Sequence, residues 1–507
     1  MFINRALACA TLLILTLGGQ TFDARIKAIV ERPEYKHSRF GIEIYSLAEN
    51  DVLYSVNAQE LFIPGSTTKI LSVGTALEAL GPDFRFHTKV YRTGPVKNGT
   101  LDGDLVLVAS GDPDISGRIQ PDGTMVFENE DHSYAGFEQS RPVPGDPLAV
   151  IRELASKVAA AGIKRIHGQV QIDISLFPEG ARELGTGVVI SPIIVNDNLV
   201  DVTVAPGMRT GDPATLTVSP QTSYVRIAND VKTAPPGSRT ELEFTNDMPG
   251  LEGAHAVSLS GTIALDAKPK LRVYRVPSPS AFATTVFREA LQAAGIRIDR
   301  ALRPAGTRVE VAEHVSPPLK EEARITLKVS QNLHASSMPY IVGAYTHKDA
   351  PDPLQAGFDE EEMLLLKAGL DTSGAVQNDG AGGDALFAPD FMVHYLLHLA
   401  GQPFFPDFLN ALPILGKDGT LFNIMVDSPA AGHVHAKTGT YAIGNALTRG
   451  GVVTGKGLAG FIDARDGRRL AFAAYINFVP VQTLDEPATR MVGQALGEIA
   501  AAAYDVF

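Results

Sequence analysis

The chain has 507 residues, 45% of them apolar and 20% charged. That is the balance of a globular protein and excludes a disordered, collagen-like or polytopic membrane chain. The net charge of −13 and the lack of a basic run exclude the usual nucleic-acid binder, and one cysteine, Cys9, excludes an internal disulfide or a thiolate metal cluster.

At about 150 residues per domain, the length suggests three domains, or two with one of them large. The first residues read as a signal peptide. Met1–Arg5 carries one positive charge, Ala6–Leu17 is an apolar run of twelve, and Gly18-Gly19-Gln20 follows. Twelve apolar residues fall short of the ~20 that a membrane-spanning helix needs. The mature chain, from about residue 21, is therefore expected outside the cytoplasm, periplasmic or extracellular, with loose association at a membrane left open.

Gly41–Leu47 alternates apolar and polar residues as a half-buried strand does, and Asp51–Val56 can pair with it. A helical pattern runs from Ser66 to Leu80, with Ile70, Val73, Leu77 and Leu80 on one stripe, and Gly81-Pro82 ends it. The texture then changes to short alternating runs at 170–174, 200–204, 215–218, 224–227 and 271–274. One helix interrupts them, with Asp146 as N-cap, Pro147 at N1 and Gly162 as C-cap. Residues 112–146 read as a surface loop and Glu128-Asn129-Glu130-Asp131 as a solvated acidic run. From Ser278-Pro279 helical patterns return. Leu458–Asp463 and Leu470–Val479 form a hairpin through Asp466-Gly467, and a last helix covers Pro487–Tyr504. The division that follows is 1–20 signal, 21–83 first part of a catalytic domain, 84–276 β-rich insertion, and 277–507 second part.

Three triplets carry the chemistry: Ser66-Thr67-Thr68-Lys69 at a helix start, Ser330-Gln331-Asn332 between two helical patterns, and Lys437-Thr438-Gly439 on a strand. Each is weak alone; their order and contexts together are specific. A serine hydroxyl needs a base beside it, and a residue three further along a helix lies on the same face. Lys69 is that base if burial and a second cation, for which Lys437 is placed, lower its pKa. The Ser66 amide at a helix N-terminus and the Thr440 amide on the strand edge are the candidate oxyanion donors. Ser330 is placed to pass a proton to the leaving amine, and Lys437 and Thr438 to hold a substrate carboxylate. The catalytic candidates are thus Ser66, Lys69, Ser330, Asn332 and Lys437, and the substrate-binding ones Thr438, Gly439 and Thr440. His433 and His435 lack a third ligand at metal-site spacing, so no metal or cofactor is expected.

These motifs resemble those of the low-molecular-mass class C penicillin-binding proteins, the D-alanyl-D-alanine carboxypeptidase/endopeptidase family. The resemblance extends to Leu80–Phe86, Gly103-Asp104-Leu105, Gly111-Asp112-Pro113, Val195–Asn198, Asp379-Gly380-Ala381-Gly382 and Arg468–Phe472. It implies an α/β (α+β) fold, a penicillin-binding/serine β-lactamase-like catalytic domain with an antiparallel sheet and helices, split by the β-rich insertion. It also implies acylation of Ser66 by peptidoglycan stem peptides ending in D-Ala-D-Ala, and by penicillins as mimics. A β-lactamase or esterase on the same site, and a non-catalytic cell-wall-binding protein, are the competing readings. Two departures from the family pattern stand out. Pro339, seven residues after Asn332, is expected to kink its helix and shift Asn332, and Tyr441–Lys456 is longer and richer in glycine than a tight turn.

Overall fold

The computed structural model describes residues 21–135, 139–301 and 306–507; the apolar leader with Cys9 lies outside them. Among the described residues no helix is long and apolar enough to cross a membrane.

A five-stranded antiparallel sheet sits at the centre, in the order Val434–Asn445, Gly450–Asp463, Arg469–Val481, Arg39–Ser46, Asp51–Val56. The Arg469–Val481 strand is apolar on both faces. Phe472, Ala474 and Ile476 pack under the first and last helices, Phe22–Val30 and Glu486–Val506. Ala471, Ala473 and Tyr475 face a second core built by Lys69–Leu80, Asn332–Thr346 and Pro389–Ala400. Alternate residues of a strand point to opposite faces, so helices on both sides require an unbroken apolar run. The hairpin around Asp466-Gly467 and the terminal helix stand where the pattern puts them. The Tyr441–Lys456 segment is not a loose loop: the two strands continue past the K-T-G triplet, pairing from Val434 with Ile462 out to Asn445 with Gly450.

The inserted region has two cores of its own. One lies under the sheet Val309–Val315, His87–Arg92, Leu105–Val108, Val170–Asp173 and the helices Ala149–Ala160 and Pro279–Ala293. The other lies between two three-stranded sheets, 215–219/199–205/270–275 and 225–234/255–264/241–249. Val309–Val315 pairs antiparallel with His87–Arg92, and Pro279–Ala293 packs on Ala149–Ala160. Residues 279–315 therefore belong with the insertion. The chain returns at Ser316, whose N–H donates to the Phe86 carbonyl at 3.0 Å while Phe86 N–H donates to Ser316 Oγ at 2.9 Å. The expected boundary at 276 misses this because a helix after a run of strands looks like a return to the helical domain. Strand pairing across more than 200 residues leaves no local signal.

The 112–146 segment also differs from its reading as a surface loop. Asp112, Asp114, Arg118, Asp131 and His132 are each at most 1% exposed. Arg118 pairs with Asp131 and Asp197, His132 with Asp197 and Asp201, and Asp112 lies 4.0 Å from His314, contacts that a reading of the local sequence does not show. Pro339 does not break its helix: Asn332–Thr346 runs through it.

Candidate active site

The Ser66 turn is fixed by close backbone approaches. Residues Gly65–Thr68 form a 3-10 turn that leads into the Lys69–Leu80 helix. Gly65 has φ +53°, and a Cβ there would stand 2.6 Å from Thr440 N. A methyl group on Gly439 would overlap the Pro64 carbonyl and come within 3.0 Å of Ser66 N. Only glycines let the Lys437–Thr440 strand lie this close to the turn. Gly382 packs in the same way on the Gly65 carbonyl, in a loop gathered by Asp379 Oδ1, which accepts from the N–H groups of Ala381, Gly382 and Gly383.

The three triplets converge. Lys69 Nζ donates to Ser66 Oγ at 2.7 Å and to Asn332 Oδ1 at 2.6 Å, and Ala381 O lies at 3.5 Å. Lys437 Nζ donates to Ser330 Oγ at 2.8 Å and to Thr438 O at 2.8 Å. Thr438 Oγ1 donates to Thr420 Oγ1 at 2.8 Å. Ser330 sits at φ +61°, a left-handed conformation that serine rarely adopts and that strained functional turns use.

Both lysines are fully buried. Burial lowers Lys69 to about 7, although the Glu183 and Asp379 carboxylates push it back up. Burial, then repulsion from Lys69 and Lys456, holds Lys437 well below the usual amine range. The second-cation effect expected on Lys69 thus falls on Lys437, and burial is what makes Lys69 basic enough to be neutral near neutrality. All eight residues singled out from the sequence, Ser66, Lys69, Ser330, Asn332, Lys437, Thr438, Gly439 and Thr440, lie in this one cluster or on its strand edge.

Several groups had no local signal. Lys456, opposite Thr440 on the next strand, donates to Thr440 Oγ1 at 2.6 Å, and burial lowers it to about 8. Tyr134 OH donates to the Ser330 carbonyl at 3.1 Å. Gly185 lies against Asn332 Nδ2, and Glu183 beside it is 3% exposed. Asn129, Glu130 and Tyr134 from the insertion, with Arg490 and Glu486 of the last helix, wall a cavity of about 250 Å³ that opens from Ser66 and Thr440. Asn129 and Glu130 of the acidic run are therefore part of the site wall.

Behind the Ser330 turn lies a buried hub. Asp197 Oδ2 accepts from Arg118 Nη2 at 2.9 Å, His132 Nε2 at 2.7 Å and Gln331 Nε2 at 2.8 Å, and its Oδ1 pairs with His334 Nε2 at 3.0 Å. Gln331 in turn caps the Asn332–Thr346 helix by accepting from Leu333 N–H at 2.8 Å. Asn196, Asp197 and Asn198 all have φ near +50°, an uncommon run for residues other than glycine. Burial alone would raise the Asp197 pKa, but Arg118, His334 and His132 outweigh it and hold the carboxylate well below its usual range.

A mixed α/β fold with a helix-borne Ser-x-x-Lys facing a strand-borne Lys-Thr-Gly defines a serine hydrolase of the penicillin-binding, β-lactamase-like class. More narrowly, the chain belongs to the D-Ala-D-Ala carboxypeptidase 3 (S13) family, whose pattern matches residues 22–502, and it is a serine peptidase of that family. It is 27% identical over 453 residues to a D-alanyl-D-alanine carboxypeptidase of Actinomadura sp. (strain R39), covering 83% of this chain and 77% of that one. It is 24% identical over 469 residues to the D-alanyl-D-alanine carboxypeptidase DacB of Haemophilus influenzae, covering 89% and 88%. The fold matches the crystal structure of penicillin binding protein 4 from Haemophilus influenzae with a TM-score of 0.72 at 21% identity, over 94% of this chain and 98% of that one.

Proposed function

We propose that this chain hydrolyses peptidoglycan stem peptides ending in D-Ala-D-Ala through an acyl-enzyme on Ser66, after export from the cytoplasm. The observation that carries the proposal is the buried Lys69 amine, 2.7 Å from Ser66 Oγ and near pKa 7. A neutral amine there accepts the hydroxyl proton as Ser66 Oγ attacks the penultimate D-Ala carbonyl. The developing oxyanion sits between the Ser66 and Thr440 amides, held together by the Gly65 and Gly439 approaches. The C–N bond then breaks. The leaving amine takes a proton from Ser330 Oγ, which Lys437 Nζ replenishes, and D-alanine departs. Lys69 passes the proton it took from Ser66 along the cluster to Lys437 and, neutral again, takes a proton from the water that attacks the ester and returns it to Ser66 Oγ as the C–O bond breaks.

The substrate carboxylate is met by Lys437, Thr438 and Thr440. Because Lys456 donates to Thr440 Oγ1, the Thr440 hydroxyl proton is left to point at that carboxylate. Penicillins, whose carboxylate and strained amide mimic the terminal dipeptide, acylate the same oxygen. Export rests on the leader at residues 1–20, and a periplasmic or extracellular site follows from it.

The test is release of free D-alanine from a synthetic peptide ending in D-Ala-D-Ala, with Ser66→Ala alongside. Release by the wild type and none by the variant supports the proposal; equal rates, or no release by a folded, penicillin-unreactive wild type, defeat it.

A further inference from the structure

The Asp197 hub continues away from the active site into a pair of buried carboxylates, three of whose four oxygens have no hydrogen-bond partner. Asp114, from the insertion, and Glu322, on the Leu319–Lys328 helix, are 1% and 0% exposed. Neither Asp114 oxygen nor Glu322 Oε2 has a hydrogen-bond partner. The other oxygen, Glu322 Oε1, is already used by Thr326 Oγ1 at 2.6 Å and His334 Nδ1 at 3.0 Å. One ligand atom each from Asp114, Glu322 and His334 lies within 4.8 Å of the others. Leaving three carboxylate oxygens buried without donors is costly, because those oxygens lose their hydration and gain no hydrogen bond in its place.

Charge counting over the connected cluster points the same way. Six buried carboxylates belong to it: Asp112, Asp114, Asp131, Asp197, Asp201 and Glu322. Facing them are the Arg118 guanidinium and the imidazoles of His132, His314 and His334. With every imidazole protonated, the carboxylates still exceed the cations by two. His314 is shared besides with the partly exposed Glu153, at 2.9 Å.

We propose that Asp114 and Glu322 bind a divalent cation between the insertion and the catalytic part, with His334 at its edge. Oxygen donors dominate, since both His334 nitrogens are engaged, by Glu322 and by Asp197. Such a set suits Ca²⁺ or Mn²⁺, and spacings up to 4.8 Å match ligands about 2.2–2.5 Å from a central ion. The ion would clamp the Asp112–Arg118 segment to the two helices that flank Ser330 and Asn332, so its role is structural. The alternative is a proton shared by the two carboxyl groups: burial, with Glu322 and Asp112 close by, pushes Asp114 well above the usual carboxylate range in an ion-free site.

The test uses the full mature chain, stripped with EDTA, dialysed, and titrated separately with Ca²⁺ and Mn²⁺. Mn²⁺ binding is read from loss of the free-ion EPR signal, and stability from thermal melts. The expected result is one equivalent of Mn²⁺ per chain, competed by Ca²⁺, with a rise in melting temperature of at least about 3 °C. In Asp114→Asn and Glu322→Gln both effects disappear. No binding to the wild type, or binding that survives in a folded Asp114→Asn variant, overturns the proposal, as does an EDTA-insensitive melt. If neither variant folds, the wild-type stoichiometry and melting shift decide, since a shared proton produces neither.

Discussion

Asp197→Asn is the sharpest perturbation of the link between the insertion and the Ser330 turn. The carboxylate takes three donors on Oδ2, from Arg118, His132 and Gln331, and one on Oδ1, from His334. An asparagine keeps its oxygen toward the three and turns its NH2 group toward His334, so one contact is lost. The larger loss is the charge: a buried guanidinium and two imidazoles are left without their shared counter-ion. Breaking a buried ion pair from one side typically costs about 3–5 kcal/mol. Part of that cost reaches the site, because Gln331 is held by Asp197 and caps the helix that begins at Asn332. A displacement of 1 Å there is worth about a hundredfold in rate. The expectation is a melting temperature several degrees lower and acylation by penicillin about 10- to 100-fold slower, measured well below the melt. The pH dependence adds a separate readout. Burial alone would lower the His132 imidazole, but Asp201 and Asp197 raise it to about 10. With a folded pKa above the unfolded one, its contribution is fully present below about 6.5 and is lost as pH rises through about 10. The buried lysines contribute alike to both proteins, so the difference in stability between wild type and variant should shrink over that window. A variant that acylates within twofold of wild type and melts at the same temperature refutes the reasoning.

Three further outcomes follow from the site. The rate kcat/KM on a D-Ala-D-Ala peptide should rise about tenfold per pH unit below about 7 and level off above it, as Lys69 loses its proton; a flat profile from pH 5 to 8 contradicts Lys69 as the base. Lys69→Met should be inactive yet more stable at pH 7. The folded amine, at about 7, binds fewer protons than the unfolded one at 10.5, so wild type gains stability as pH rises between those values. The gap corresponds to about 5 kcal/mol; after the lost hydrogen bonds to Ser66 and Asn332, a net gain of about 2 kcal/mol is expected in melts at pH 7, fading toward pH 10.5. A variant less stable at pH 7 breaks that argument. Gly439→Ala places a methyl on the Pro64 carbonyl and should cost at least about a hundredfold in acylation with the fold retained, visible by circular dichroism; near-normal acylation would show that the close approach is dispensable.

The reacting groups were legible because their spacing is local. Ser66 and Lys69 share one helical face, Ser330 and Asn332 one turn, and Lys437 to Thr440 one strand, so short patterns carry them. The central strands and the terminal helix were legible for the same reason, through periodicities of two and 3.6 residues. What failed was non-local. The Val309–Val315 strand finds its partner at 87–92, and Asp112, Arg118 and Asp131 look like surface charges until Asp197, Glu322 and His334 are folded against them. Lys456 enters the site only through strand register.

The central claim is that Ser66 Oγ is the acylated atom. Intact-mass spectrometry of the mature chain after exposure to benzylpenicillin, with Ser66→Ala beside it, tests this directly. A single adduct of the mass of the drug, mapped by peptide digestion to Ser66 and absent from the folded variant, is the predicted result. An adduct that persists in Ser66→Ala, or a folded wild type that gains no adduct and turns over no penicillin, would contradict it.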